Sequence, residues 1–217
     1  MFEFLSQAFV TLLVIVDPFA VVPVFLALTP KETTLQRNKI ALKASVISCL
    51  ILFSFAFLGD WLLDVLGISE PAFRITGGFL LLLAAIEMVV AKNSGGIRST
   101  NDDESAEAAI KDDITVFPLS IPLMSGPGAM TSVVVLMRQA EQISFMASLG
   151  VVLIILVVIL ITYMCLRSSS AMMKVLGVTG TNVLTRVFGI ILAALAMQSI
   201  LTGIQLFYGS LCTPPHF

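Results

Sequence analysis

The sequence predicts an all-α membrane protein in which six transmembrane helices form two inverted three-helix repeats, with helices 1 and 4 interrupted at mid-membrane. Three observations predict this fold class: the composition, six long apolar runs, and a similarity between the two halves. Of the 217 residues 58% are hydrophobic and 12% are charged, whereas soluble domains are ~45–50% apolar and ~25% charged. The composition excludes a water-soluble enzyme and a nucleic-acid-binding protein, which needs a basic surface.

The apolar runs place the six helices along the chain. They cover about 5–29, 40–63, 72–91, 115–137, 143–166 and 184–208. Each is long enough to cross a bilayer, which takes ~20 residues, and a helix satisfies the backbone of such a run in lipid. The first residues, Met1-Phe2-Glu3-Phe4, have no positive charge, so we expect a retained helix and not a removable signal.

The distribution of Lys and Arg predicts the orientation. Ten of them lie in the connections on one side, and only Arg74 and Arg138 lie on the other. The positive-inside rule makes the ten-charge side cytoplasmic, so we expect a multi-pass protein of the bacterial inner membrane with both termini periplasmic. The polar segment 92–113 carries six acidic residues and is typical of a flexible cytoplasmic linker. It separates a first repeat, 1–91, from a second, inverted repeat, 114–217.

The similarity of the two halves indicates a transporter. A shift of 112 residues aligns Arg74–Ala84 with Arg186–Ala196, and a shift of 109 pairs Pro18 with Pro127. Because each repeat has an odd number of helices, the second copy enters the bilayer upside down. Inverted repeats of this kind are typical of transporters that bind substrate near the midplane. A passive channel or an assembly protein could arise by the same duplication, and both stay open as alternatives.

Proline motifs lie near the centres of helices 1 and 4. Asp17-Pro18 is followed by Pro23 in the first helix, and Ser125-Gly126-Pro127-Gly128 interrupts the fourth. A proline removes a helix hydrogen bond, which is tolerated at membrane depth where protein or a wet cavity satisfies the freed groups. Asp or Gly before Pro predicts a helix N-cap. Two half-helix N-termini, each partly positive, would then face the midplane.

This arrangement predicts a substrate site between helices 1 and 4. The 125–128 turn would bind the anionic end of a substrate, and Asp17, the one ionisable residue near a midplane, would receive an amine or a coupling cation. Two packing kinks with Asp17 as a cap are the alternative. Arg74 and Arg186, at helix starts, are expected to anchor or pair structurally rather than to bind substrate. The candidate substrate-binding residues are Asp17, Pro18, Pro23, Ser125, Gly126, Pro127, Gly128, Thr131, Ser132 and Gln198.

The chain lacks the residues that enzyme chemistry needs. The chain has one histidine, His216, no Cys-x-x-Cys pair, no HExxH motif and one central carboxylate. We therefore expect no catalytic residue, no metal site and no cofactor.

Four segments resemble the MarC family and its YchE-like branch. They lie at Val16–Thr29 (VDPFAVVPVFLALT), Gly59–Gly78, Pro118–Met130 (PLSIPLMSGPGAM) and Thr179–Leu195 (TGTNVLTRVFGIILAAL). The resemblance implies a six-helix inner-membrane protein related to LysE-type amino-acid exporters. It also implies likeness to SnatA-type carriers of small neutral amino acids such as glycine and alanine, driven by an ion gradient. The family's helix-breaking motifs fall on Asp17, Pro18, Pro23 and 126–128.

The resulting prediction is a secondary transporter of small neutral amino acids or similar zwitterions. It would bind its small-molecule substrate at a midplane site and move it across the membrane by alternating access. Its expected partners are that substrate and membrane lipid, and no nucleic acid. H⁺ and Na⁺ are both left open as the coupling ion, and a homo-oligomer is left open too. A passive channel or a non-transporting membrane assembly protein is the alternative.

Overall fold

A computed structural model describes residues 1–30, 32–90, 119–120 and 124–212. Its helices are α1 (Phe2–Val16), α2 (Pro18–Leu28), α3 (Thr34–Val65), α4 (Glu70–Val90), α5 (Pro127–Ile143), α6 (Phe145–Arg167) and α7 (Ser169–Cys212). Five stretches of the described residues are long and apolar enough to cross a membrane: Phe2–Leu28, Thr34–Gly59, Glu70–Val90, Phe145–Arg167 and Thr179–Gly209.

These stretches match five of the six predicted runs, so the prediction of an all-α, multi-pass membrane protein is confirmed. Of the remaining run, the fourth at 115–137, the described residues cover chiefly the later half, where α5 begins. The predicted linker at 92–113 lies outside the described residues.

The first membrane helix is divided at Asp17. This residue has φ 45° and ψ 72°, in the left-handed region, and its backbone N–H donates to the Leu13 carbonyl at 3.0 Å. Its carboxylate Oδ1 accepts from the Ala20 N–H at 3.3 Å. Asp17 therefore ends α1 and caps α2, with Pro18 at the first helical position as predicted. The helix continues through Pro23, which lies inside α2 between the fully buried Val22 and Phe25.

An arginine clamp fixes the turn between α2 and α3. Thr33 and Gln36 form a capping box at the start of α3. One turn into that helix, Arg37 donates from Nε (3.0 Å) and Nη2 (2.6 Å) to the carbonyl of Thr29, the C-cap residue of α2. The last carbonyls of a helix lack backbone partners and carry partial negative charge. The guanidinium therefore satisfies and neutralises the end of the broken helix.

We expect Arg37→Gln to lower the free energy of unfolding by about 1–3 kcal/mol, because two charge-assisted hydrogen bonds to one carbonyl are lost. Thermal unfolding of the purified protein in detergent measures the change. The matched control is Lys39→Gln, which removes the same charge from an exposed position of the same helix and should change stability by less than ~0.5 kcal/mol. Equal effects of the two substitutions would contradict a role for the clamp.

Glycines bring α4 and α7 into close antiparallel contact. A methyl group at Gly78 would lie 2.9 Å from the carbonyl oxygen of Ala196, one at Gly189 would lie 3.1 Å from that of Ala85, and one at Gly203 would lie 3.0 Å from that of Pro71. Residue numbers rise along α4 as they fall along α7, so the helices are antiparallel. Small residues permit backbones to approach this closely in membranes. We call this contact the glycine seam.

The α6 helix presents an apolar face that the rest of the described chain leaves uncovered. Its exposed side chains recur at intervals of three and four residues, as expected for the lipid-facing side of a membrane helix. They are Leu149, Leu153, Leu156 and Leu160. Buried residues on the opposite face, Val151, Ile155 and Val158, join the central core.

The beginning of α7 differs from the prediction of a loop between the last two runs. The helix begins at Ser169, with Ser168 alone between it and the end of α6, and bends at Gly177, where φ is 63°. Glycine adopts this conformation without the penalty that other residues incur. The piece before the bend is held by Met172 and Met173, which pack against the core. It is too short and too polar to be found as an apolar run.

Candidate functional site

Four helices, α1, α4, α5 and α7, surround a cavity of about 160 Å³. Nine of its fifteen lining residues have polar or charged side chains, although polar groups inside a membrane are costly and usually functional. The lining residues are Phe4, Gln7 and Thr11 of α1; Arg74, Gly77 and Leu81 of α4; Thr131, Ser132, Val135, Leu136 and Gln139 of α5; and Leu195, Gln198, Ser199 and Thr202 of α7. We call this space the polar cavity.

Three of the ten predicted site residues line the polar cavity: Thr131, Ser132 and Gln198. Thr131 and Ser132 come from the second turn of α5, and Gln198 faces them from α7. The other seven predicted residues are not among the cavity's lining residues: Asp17, Pro18, Pro23, Ser125, Gly126, Pro127 and Gly128. The structure therefore brings the hydroxyl and amide candidates together and leaves the helix-break residues outside this space.

The break before α5 lies directly beside the polar cavity. Gly126 is the N-cap and Pro127 is the first helical residue, as predicted. A methyl group at Gly128 would lie 2.9 Å from Cδ2 of Leu81, a cavity-lining residue. The hydroxyl of Ser125 points elsewhere, since it is fully buried and donates to the Ser120 carbonyl at 2.8 Å. The 125–128 turn thus packs against a residue of the cavity wall.

The two helix breaks are neighbours. The methyl position of Gly128 lies 4.0 Å from Cγ2 of Ile15, two residues before Asp17. Asp17 itself is fully buried, and one of its carboxylate oxygens caps α2. The capping role is therefore visible, and a substrate or cation role for Asp17 stays a prediction.

Arg74 lies in the wall of the polar cavity and is buried. Its Nε and Nη2 bind one oxygen of Glu70, Oε1, at 2.8 and 2.7 Å. The second oxygen of Glu70, Oε2, is 3.6 Å from Nε of Arg138, whose Nη2 is 4.0 Å from Oδ1 of Asp64. One glutamate is thus shared by two arginines. The expectation that Arg74 forms a structural pair is confirmed, but the residue also faces the cavity.

The Nη1 and Nη2 edge of the Arg74 guanidinium faces Gln139. With its amide oriented to satisfy both groups, the Gln139 oxygen accepts from Nη1 at 2.7 Å and from Nη2 at 3.0 Å. On the backbone side, the Ser199 hydroxyl donates to the Arg74 carbonyl at 3.3 Å. Residues of α4 and α5 therefore fix this guanidinium at the cavity wall, and α7 holds the backbone that carries it.

Comparison with known proteins now identifies the family. A family model described as "MarC family integral membrane protein" matches residues 2–208. This chain belongs to the MarC family. Its relatives include the UPF0056 membrane protein YhcE of Escherichia coli, 37% identical over 197 residues that cover 91% of this chain and 90% of the relative.

Two further relatives come from distant organisms. A UPF0056 membrane protein of Methanocaldococcus jannaschii is 36% identical over 203 residues, which cover 94% of this chain and 97% of the relative. YvbG of Bacillus subtilis is 35% identical over 205 residues, which cover 94% and 96%. The names of these MarC family relatives describe membrane proteins and state no substrate. No solved structure is significantly similar to this chain.

Sequence reasoning about this MarC family chain missed several cavity residues, although a signal for some of them exists. Gln7 and Thr11 are four residues apart on α1, and Gln198 and Thr202 are four apart on α7. Side chains at this spacing share a helix face. A polar pair on one face of an apolar membrane helix therefore indicates a surface that does not face lipid. Gln139 carries no such signal.

The chemistry of the polar cavity is that of hydrogen bonding and charge recognition. Hydroxyl and amide groups supply donors and acceptors, and the Arg74 guanidinium supplies the single charged group among the lining residues. In the described part of the chain no group of three or more His, Cys, Asp or Glu side chains is placed to hold a metal ion. The arrangement is suited to binding a small polar ligand.

Proposed function

We propose that this MarC family protein is a secondary transporter of the inner membrane that moves small neutral amino acids or similar zwitterionic metabolites by alternating access. The polar cavity is the observation that carries the proposal. Its volume of about 160 Å³ corresponds to about five water molecules at ~30 Å³ each. It is smaller than the ~300–1,000 Å³ of pockets for drug-sized ligands. This size favours a ligand such as glycine or alanine.

The glycine seam supports an inverted repeat of three plus three helices. The segments that align at a shift of 112 residues, Arg74–Ala84 and Arg186–Ala196, lie on α4 and α7, which pack antiparallel. Equivalent helices of inverted repeats are related by a two-fold axis in the membrane plane, and antiparallel packing is the local result of such an axis. The cavity wall draws on helices from both repeats, which is where transporters of this kind bind substrate.

The positive-inside rule gives the proposed protein its direction in the membrane. With both termini periplasmic, the turn between α3 and α4 and the ion pairs of Glu70 lie on the periplasmic side. The polar cavity then occupies the periplasmic half, between these ion pairs and the helix breaks. In this arrangement the described conformation offers its site to the periplasm.

Counterflow in proteoliposomes tests the proposed function. Vesicles preloaded with unlabelled alanine are diluted into a trace of labelled alanine or glycine, and we expect transient, saturable accumulation of label above that in protein-free vesicles. Vesicles that contain the protein but no internal amino acid are the control and should show no overshoot. Label that only equilibrates would indicate a channel, and no uptake from a panel of small amino acids would contradict the amino-acid assignment.

A further inference from the structure

We propose that Arg74 binds the carboxylate of the transported compound, which displaces the neutral amide of Gln139 from the guanidinium. That the bound compound is transported rests on the proposed function, but the carboxylate site itself can be tested without transport. It assigns the substrate class: small molecules that carry a carboxylate, with uncharged amides excluded. The sequence alone predicted a different group for this task, the helix N-terminus at 125–128.

The first argument is the geometry of the guanidinium. Arginine presents parallel N–H groups that match the two oxygens of a carboxylate. Glu70 occupies the Nε side of Arg74 through one oxygen. The edge formed by Nη1 and Nη2 is directed to Gln139, at 2.7 and 3.0 Å, and both residues line the polar cavity. A ligand carboxylate in the cavity can therefore reach the edge that Gln139 occupies without breaking the pair with Glu70.

The second argument is the balance of charge around the cavity wall. The side chains of Arg74 and Arg138 are 6% and 25% exposed, and that of Glu70, which contacts both, is 20% exposed. Asp64 is 68% exposed and 4.0 Å from Arg138, so solvent screens its contribution. Neither Glu70 nor Arg138 is among the residues that line the cavity, and Arg74 is the single charged side chain that is. Its guanidinium therefore attracts an anionic group into the cavity.

The third argument is the strength of the competing bonds. The bonds from the Arg74 guanidinium to the Gln139 oxygen have one charged partner, whereas bonds to a carboxylate have two and can be bidentate. A carboxylate on the Nη1 and Nη2 edge adds attraction between opposite charges that the amide cannot supply, so it competes with Gln139 for this edge. The remaining hydroxyl and amide groups of the cavity accept the ammonium group of a zwitterion.

Ligand-dependent thermal stabilisation of the purified protein tests the carboxylate site. The probes are alanine, propionate, which has the carboxylate without the amine, and alaninamide, which has the amine and a neutral amide in place of the carboxylate. We expect alanine and propionate to raise the Tm of the wild-type protein and alaninamide to leave it unchanged. Equal stabilisation by alaninamide and alanine, or no stabilisation by either carboxylate, would overturn the proposal.

Four variants separate ligand binding from a purely structural role. Arg74→Gln should weaken alanine and propionate binding at least about tenfold, the equivalent of ~1.4 kcal/mol. Gln139→Glu should weaken them as much, because it places a fixed carboxylate on the guanidinium, whereas Gln139→Ala removes the competitor and should tighten binding about two- to tenfold. The matched control is Arg186→Gln, at the equivalent and exposed position of the second repeat, which should bind like the wild type.

A purely structural role of Arg74 predicts a different pattern, since both Gln139 variants would then shift carboxylate affinity in the same direction. That result would overturn the proposal even if Arg74→Gln does not fold, because the Gln139 variants keep Arg74. The transport proposal fails separately. Stabilisation by carboxylates without counterflow would support the carboxylate site and contradict the transport proposal. Counterflow by Arg74→Gln at the wild-type rate and affinity would support transport and contradict the carboxylate site.

Discussion

Asp17→Asn should lower the counterflow rate at least about tenfold, the equivalent of ~1.4 kcal/mol, while the protein stays folded. Asparagine tolerates the left-handed conformation that residue 17 adopts, and it caps a helix as well as aspartate does. The cap therefore explains a hydrogen-bond acceptor at this position but does not require an acidic side chain. An acidic side chain buried within a membrane is costly, so we expect Asp17 to act on an amine or a cation besides capping the helix.

Counterflow and thermal unfolding of the same preparation measure both parts of the Asp17 prediction. Glu3→Gln is the matched control, because it removes a carboxylate from an exposed position of the same membrane helix and should transport like the wild type. Wild-type counterflow by Asp17→Asn would show that Asp17 is a cap and nothing more. A large loss of stability would instead show that the charge is needed for folding.

Gly78→Ala should destabilise the protein by about 1–3 kcal/mol, the usual effect of overpacking a tight contact. The new methyl group would meet the Ala196 carbonyl at 2.9 Å and the Ile200 backbone nitrogen at 3.1 Å. Both are backbone atoms, so relief requires that α4 and α7 move apart along the glycine seam. This loss outweighs the gain of about 1 kcal/mol that alanine brings to a helix interior.

Thermal unfolding in detergent measures the stability of Gly78→Ala, and a glycine substitution in α7 is the control. In the described part of the chain no atom lies within 4 Å of a methyl group added at Gly209, so Gly209→Ala should be neutral or stabilising by up to ~1 kcal/mol. A Gly78→Ala protein as stable as Gly209→Ala would show that the seam has room for a methyl group. It would also show that the close approach of α4 and α7 is not the reason for the small residues there.

The helix breaks could be predicted because their causes are local. Asp17-Pro18 and Gly126-Pro127 each place a capping residue directly before a proline, and this pair of neighbours is enough to start a helix. Helix ends that lie in polar sequence are harder to predict. The α3 helix begins at Thr34, six residues before the predicted run, because a capping box starts it and hydropathy detects only the apolar part.

The site could be predicted only in part, because a cavity depends on which helix faces turn toward one another. Thr131, Ser132 and Gln198 were found as polar residues in apolar helices. The partners of Arg74 divide in the same way: Glu70 lies one turn away, within reach of a local rule, whereas Gln139 is 65 residues distant in the chain. The packing of α4 against α5 creates that second contact, and no local pattern encodes it.

The single residue that joins α1 to α2 also fixes their rotational phase. Each residue of a helix turns the chain by about 100°, and no connecting loop is present to absorb an insertion, since α1 ends at Val16 and α2 begins at Pro18. One residue more or less at this junction would rotate the whole of α2 by that angle. Phe19 would leave its edge-to-face contact with Phe188 at 5.6 Å, and Phe25 would turn out of the core. Chain length at Asp17 is therefore as tightly constrained as chemical identity.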